Sequence, residues 1–137
     1  MMASIRRQIV IDAEPETVWD ALRDWHALHF RLAAGFVTDC QSDDTARMVT
    51  FASGVILREE ILGCDEEHRR LSWSVVDGPY THHNGGAEVF ADDYGRTQFV
   101  WTCDLRPDAL AEPTARAMEQ GLAAIKRTLE PAAIPPA

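Results

Sequence analysis

Residues 97–129, TQFVWTCDLRPDALAEPTARAMEQGLAAIKRTL, decide the fold of this chain because their hydrophobic period changes once. Over Thr97–Leu105 the apolar residues alternate with polar ones, which is typical of a strand with one buried face. Over Ala111–Leu129 the apolar residues recur every three or four positions, which predicts one helix with a single apolar stripe. Pro113 fits the first turn of this helix and Pro131 ends it. A helix with a single apolar stripe must bury that stripe, and the apolar face of the preceding strands is the surface against which it can pack.

Six further strands are predicted upstream of this segment, each separated from the next by turn-forming residues or helices. They span residues 4–11, 36–41, 47–52, 55–64, 70–77 and 84–91. Pro15 begins a helix after the first strand, and a second short helix is expected over Trp25–Leu32. Strands joined by tight turns form an antiparallel meander, and a strongly twisted sheet curls around a helix. The sequence therefore predicts an α+β fold, in which a curved seven-stranded antiparallel sheet wraps around the long C-terminal helix.

Length and composition set the size of the folded unit. The chain has 137 residues, of which 46% are hydrophobic and 26% charged, so it can bury one core. We expect a single domain over residues 4–130. We also expect a flexible C-terminal tail over residues 131–137, which contains Pro135 and Pro136.

The net charge and the cysteine content indicate which binding partners and which cellular compartment to expect. Thirteen Lys and Arg residues face 22 Asp and Glu residues, a net charge of −9, so we expect no nucleic-acid partner. No apolar run approaches the roughly 18 residues of a membrane span, and we expect no membrane insertion. The three cysteines form no CxxC motif and the N-terminus lacks a secretion-signal pattern. These features predict a reduced, cytoplasmic protein.

Several local segments carry a family resemblance. They are IDAEPETVW at 11–19, Asp24-Trp25, REEIL at 58–62 with Asp65, LSWSVV at 71–76, TQFVW at 97–101 and Gly121-Leu122. With the order of the predicted elements, these segments resemble the START/Bet v1-like superfamily, also called SRPBCC, and within it the polyketide cyclase/dehydrase-like branch. The resemblance covers about residues 4–130. It implies the helix-grip fold, with two short helices after the first strand.

The resemblance also implies a cavity between the sheet and the C-terminal helix. The family contains ligand carriers, hormone receptors, aromatase/cyclases and co-chaperone domains. Our leading interpretation is a protein that binds a small apolar or aromatic molecule in this cavity. One alternative is a polyketide cyclase/aromatase-like enzyme that uses a cavity carboxylate or histidine for proton transfer, and another is an interaction module with a collapsed cavity. We expect no cofactor. The sequence is compatible with a monomer and with a homodimer.

Glu59 is the candidate catalytic residue because it interrupts an apolar strand face. In the strand over 55–64 it shares that face with Leu57 and other apolar residues, whereas Arg58 lies on the opposite face. The pattern points Glu59 into the concave side of the sheet. A carboxylate is costly to ionise there unless a cation such as Arg7, or a helix amide, stabilises it. Such a place suits a general acid or base, and a purely structural hydrogen-bonding group fits it as well.

The candidate ligand-binding residues lie on apolar faces that we expect to line the concave interior. They are Trp25, Leu57, Trp73, Phe99, Trp101, Met118 and Leu122. Gly121, in the middle of the final helix, costs about 1 kcal/mol relative to Ala and implies a packing reason. Small residues on this helix leave room that bulky side chains would close. Plain core packing explains the same apolar pattern.

Histidines and a tyrosine are the candidate polar contacts at the mouth of the cavity. His26 and His29 are three residues apart and would share one face of the second short helix. Tyr80, His82 and His83 lie in a segment that we expect to reach the same mouth. Solvated imidazoles fit the pattern equally well. An HxxH with a distant HH is a weak zinc signal, because zinc needs three or four converging ligands, so we expect no metal site.

Overall fold

Seven antiparallel strands form one sheet in the computed structural model, which describes residues 1–131. The strands are β1 Ala3–Ile11, β2 Val37–Ser42, β3 Ala46–Phe51, β4 Ile56–Asp65, β5 Arg70–Val76, β6 His82–Ala91 and β7 Thr97–Arg106. The α-helices within the described part are α1 Pro15–Arg23 and α2 Ala111–Leu129. Short helical turns at Leu28–Leu32 and Asp108–Leu110 precede β2 and α2. The predicted α+β, helix-grip architecture is confirmed, while residues 132–137 of the predicted tail lie outside the described residues.

The strand order brings the two ends of the domain together. The sheet runs β1-β7-β6-β5-β4-β3-β2, so β7 pairs with β1 immediately before the chain enters α2. Thr38 in β2 and Leu62 in β4 are extra residues that shift the strand register. Such bulges bend a strand and increase its twist, which supports the curvature of the sheet. Among residues 1–131 we find no helix with the length and hydrophobicity needed to cross a bilayer.

The segment after α1 differs from the prediction of a short helix over Trp25–Leu32. Only Leu28–Leu32 is helical, as a single π-type turn. The carbonyl oxygen of Trp25 accepts a hydrogen bond from the Arg47 side chain at 3.2 Å instead of starting a helix. Tertiary contacts therefore override the local pattern, and the two histidines of this segment do not share an α-helical face.

The buried faces follow the alternation in the sequence. Leu71, Trp73 and Val75 of β5 are buried, and so are Phe99, Cys103 and Leu105 of β7. On α2 the stripe residues Met118 and Leu122 are also buried. Met118 packs with residues of β1 and β7, whereas Leu122 joins the larger core that includes α1 and the centre of the sheet. The helix thus covers the concave face of the sheet.

Gly121 marks the closest approach of α2 to the aromatic residues beneath it. A Cβ atom at this position would lie 2.8 Å from Cζ3 of Trp101 and 3.1 Å from Cε2 of Phe36. Both distances are shorter than ordinary carbon contacts, and the indole ring cannot bend away. The packing reason that a mid-helix glycine implies is therefore the seating of these two rings.

We expect Gly121→Ala to lower the free energy of unfolding by about 1 kcal/mol. Overpacking costs about 1–3 kcal/mol, and the gain of about 1 kcal/mol in helix propensity offsets only part of a cost in the middle of that range. Urea unfolding followed by circular dichroism measures the change. The reverse substitution at exposed Ala117 calibrates the propensity effect alone, and a stabilised Gly121→Ala protein would contradict the tight packing.

Candidate functional site

A small cavity remains between the sheet, α2 and the π-type turn. Its volume is about 60 Å³. Aromatic and aliphatic side chains line most of it, namely Leu22, Leu28, Leu32, Phe36, Val37, Phe51, Trp73, Phe99, Trp101 and Ile125. The charged residues in its lining are Arg47 and Glu59. The cavity, here called the inner cavity, is thus apolar with one charged end.

Arg47 and Glu59 form a buried ion pair because the hairpin register places them directly opposite each other on β3 and β4. Arg47 Nε donates to Glu59 Oε1 at 2.8 Å, and the two side chains are 5% and 9% exposed. The sequence pattern had left Arg7 or a helix amide as the stabilising partner. In the structure Arg7 instead pairs with Glu119 on the surface. The buried carboxylate of Glu59 is therefore neutralised by Arg47 of the neighbouring strand β3.

Trp25 holds the guanidinium of Arg47 in place. The centre of this group lies 3.7 Å from the centroid of the Trp25 ring, which is a cation–π contact. Arg47 Nη1 also donates to the Trp25 carbonyl oxygen at 3.2 Å. The indole Nε1 of Trp25 is buried and has no partner among the described residues. Stacking and hydrogen bonding together make the charged end rigid before any ligand arrives.

Glu59 keeps one oxygen available. Among the described residues only its Oε1 accepts a hydrogen bond, from Arg47. Because the carboxylate lines the inner cavity, Oε2 can accept a hydrogen bond from a hydroxyl or amine group inside it. Arg47 can in turn stabilise a carbonyl or anionic oxygen. The arrangement can therefore bind one polar group, or take a proton from it.

An open groove of about 400 Å³ lies outside the inner cavity. It is bounded by the turn between β3 and β4, by Pro79 and Tyr80, and by the N-terminal half of α2. The Tyr80 hydroxyl hydrogen-bonds Thr114 Oγ1 of α2 at 2.7 Å, which fixes one wall. We call this space the outer groove. Phe36 and Phe51 line both spaces.

The structure brings only part of the predicted set to these spaces. Glu59, Trp73, Phe99 and Trp101 line the inner cavity, Leu57 and Tyr80 line the outer groove, and Trp25 lies against Arg47. Met118 and Leu122 are buried in the core and line neither space. Sequence reasoning missed most of the lining of the inner cavity, including the cation Arg47 and the two residues shared with the outer groove, Phe36 and Phe51.

The predicted rim histidines are dispersed. His26 is exposed, with its Nδ1 2.6 Å from Ser42 Oγ, and His82 is exposed on β6. His29 contacts the Phe30 ring edge-on, and its Nδ1 is buried without a partner in the described part of the chain. Residues 1–131 contain no group of three or more His, Cys, Asp or Glu side chains arranged to hold a metal ion.

His83 is buried in β6, not solvated at a loop rim as the pattern suggested. Its Nδ1 accepts a hydrogen bond from the Val75 N–H at 3.0 Å, so the neutral ring carries its proton on Nε2. Burial, and to a lesser degree the nearby His82, lowers the pKa of His83 to about 4. The imidazole is therefore neutral at pH 7 and serves the strand pairing.

The cysteines are unsuited to nucleophilic chemistry. Burial raises the pKa of the Cys40 and Cys64 thiols, and it raises the pKa of Cys103 to about 12. A nucleophilic cysteine needs a lowered thiol pKa, because the thiolate is the reactive form. Chemistry at this site would therefore depend on Glu59 and Arg47.

We expect a strong energetic coupling between Arg47 and Glu59. Arg47→Met and Glu59→Leu each leave an unpaired buried charge and should cost about 3–5 kcal/mol in unfolding free energy, whereas the double variant should recover most of the loss. The matched control is the exposed pair Arg7 and Glu119, whose coupling should stay below about 1 kcal/mol. Urea unfolding of the single and double variants of both pairs measures the two coupling energies. Additive losses of unfolding free energy at the buried pair would contradict the coupling.

We expect acid to destabilise the protein through His83. Its folded pKa of about 4 lies below the ordinary value of 6.5, so the unfolded chain binds the extra proton between these pH values. The free energy of unfolding should therefore fall by about 2 kcal/mol from pH 7 to pH 5. His83→Asn, whose Oδ1 can accept the Val75 N–H, should flatten this dependence. Exposed His68→Asn is the control, and an unchanged slope in His83→Asn would contradict the assignment.

Comparison with known proteins places this architecture among solved folds. XoxI from Bacillus cereus is 16% identical, with a TM-score of 0.80 over 93% of this chain and 95% of that one. Norcoclaurine synthase from Thalictrum, solved as a point mutant with a transition-state analogue, is 17% identical, with a TM-score of 0.72 over 94% of each chain. A protein from Thermobifida fusca is 24% identical, with a TM-score of 0.70 over 93% of this chain and 95% of that one.

These likenesses concern the fold alone, because every identity is below 25%. No curated protein matches the chain significantly in sequence. A family profile, however, matches residues 2–130, nearly the whole chain. The chain belongs to the family described as polyketide cyclase / dehydrase and lipid transport.

Proposed function

We propose that this protein binds a small, mainly apolar molecule between the sheet and α2, with one polar group of the ligand directed at Arg47 and Glu59. The observation that carries the proposal is the buried ion pair in an otherwise apolar cavity wall. Apolar residues of similar size would often stabilise a fold at least as well as such a pair. Recognition of a polar group supplies a reason for keeping the charges there.

The ligand body needs more room than the inner cavity provides. Organic ligands occupy sites of about 300–1,000 Å³, whereas the inner cavity has about 60 Å³ and the outer groove about 400 Å³. The proposed ligand therefore spans both spaces, with its polar group inside and its apolar body extending outward. The free cysteines Cys40, Cys64 and Cys103 support a reducing compartment, the cytoplasm, as the location.

An enzymatic role of the polyketide cyclase kind is the second candidate. The free Oε2 of Glu59 favours it, because this atom can accept a proton from a carbon acid or hydroxyl held in the cavity. In that case Glu59→Gln should retain ligand binding while turnover falls by roughly 10²–10⁴-fold. A carrier would show no turnover to lose.

Two probes of nearly equal shape test the binding function. We expect 2-naphthol to bind about tenfold more tightly than 2-methylnaphthalene, because its hydroxyl can donate to the Glu59 carboxylate. Arg47→Met/Glu59→Leu should abolish this preference while retaining 2-methylnaphthalene binding. Isothermal titration calorimetry measures both affinities.

The control for this experiment is Arg7→Met/Glu119→Leu, which removes an exposed Arg–Glu pair that lines neither space. It should preserve the tenfold preference. Absence of binding by either probe, or the same preference after removal of the buried pair, would contradict the proposed site. Native mass spectrometry of the freshly purified protein would identify any molecule that co-purifies.

A further inference from the structure

We infer that Phe36 and Phe51 form an aromatic gate that must open before a ligand can reach Arg47 and Glu59, and that this gate selects ligands with a flat or slim apolar body. The inference rests on the proposed ligand-binding function and adds the residues that control access to it.

The two rings separate the inner cavity from the outer groove. Within residues 1–131, Phe36 and Phe51 are the only residues that line both spaces. Their centroids lie 5.3 Å apart with the ring planes at 71°, an edge-to-face contact. Both side chains are half-buried. The boundary that the two spaces share therefore includes two aromatic side chains in contact.

The size of the inner cavity makes opening necessary. About 60 Å³ accommodates roughly four water molecules and no organic ring system. Any larger molecule that reaches the ion pair from the outer groove must therefore extend past these two rings. The rings of Phe36 and Phe51 have to separate for this to happen.

Side-chain rotation is the movement that the backbone permits. The carbonyl oxygen of Phe36 accepts the Ala52 N–H at 2.9 Å, and the Phe51 N–H donates to the Val55 carbonyl oxygen at 2.9 Å. These bonds hold both main-chain segments in the sheet. The outer groove, at about 400 Å³, has space for a ring that turns outward. Loss of one edge-to-face contact changes the ratio of closed to open gate by only about 2–13-fold.

The geometry also indicates which ligands pass. A molecule in the open gate takes the place of one ring against the other, and beneath it lies Trp101 packed on Gly121. Flat aromatic or unbranched aliphatic bodies fit between such surfaces, whereas branched or globular bodies do not. The gate therefore acts on the shape of the ligand body, and the ion pair acts on its polar group.

Stopped-flow fluorescence with N-phenyl-1-naphthylamine tests the gate. In the wild type only the molecules whose gate is open can take up the probe, so the association rate constant should be lowered by that open fraction. In Phe36→Ala and Phe51→Ala the association rate constant should rise several-fold, up to about tenfold, because the closed state is lost. Phe36→Leu and Phe51→Leu should show a smaller rise and remain informative if the alanine variants unfold. The matched control is Phe90→Ala, an exposed phenylalanine that lines neither space and should leave the rate within twofold.

Indole ¹⁵N–¹H signals report where the probe resides. Trp73 and Trp101 line the inner cavity, so their signals should shift when the probe passes the gate. Equal association rates in wild type and gate variants, with both indoles shifted, would overturn the gate and leave the binding function standing. Unshifted indoles in wild type and in every gate variant would overturn both.

Discussion

The burial of the apolar stripe of α2 against a curved sheet is the constraint on which the remaining structure depends. The extra residues Thr38 and Leu62 favour bending of the sheet around α2. The helix and the sheet meet closely at Gly121, where two aromatic rings occupy the space of the missing side chain. Elsewhere between the two layers the inner cavity remains unfilled. The cavity is thus a consequence of how helix and sheet fit.

The charged end of the cavity adds a second constraint. Removing an arginine and a glutamate from water costs several kcal/mol per ion, and the mutual attraction repays it only with good geometry. The β3–β4 register supplies that geometry, and Trp25 contributes both a ring face and a carbonyl oxygen to Arg47. The segment after α1 departs from a helix for this reason. The charged pair is therefore already ordered in the absence of a ligand, which would reduce the ordering that the proposed binding requires.

The fold could be predicted from the sequence to within a residue or two at most strand ends, because alternation and helical stripes report burial directly. The inward direction of Glu59 followed from the same alternation. The contact between Arg47 and Glu59 could also have been predicted from the sequence. Arg47 lies on the same strand face as Val49 and Phe51, and the hairpin turn at Ser53-Gly54 brings it opposite Glu59. The alternation of apolar residues shows which face of a strand is buried. It does not show whether the space between the sheet and the helix is filled. Met118 and Leu122 lie on the same apolar stripe of α2 that faces the cavity. Their side chains nevertheless pack directly against the core and leave no space there.

Two phenylalanines and two opposite charges line the space between helix and sheet in this chain, and they lie in series from the outer groove to the charged end of the inner cavity. A carrier and a cyclase-like enzyme need the same first three elements: an entrance, an apolar space and a fixed polar group. They differ in whether the bound molecule presents an acidic hydrogen to Glu59 Oε2. The distinction therefore lies in the chemistry of the ligand as much as in the protein, so identification of the ligand would also decide between the two functions.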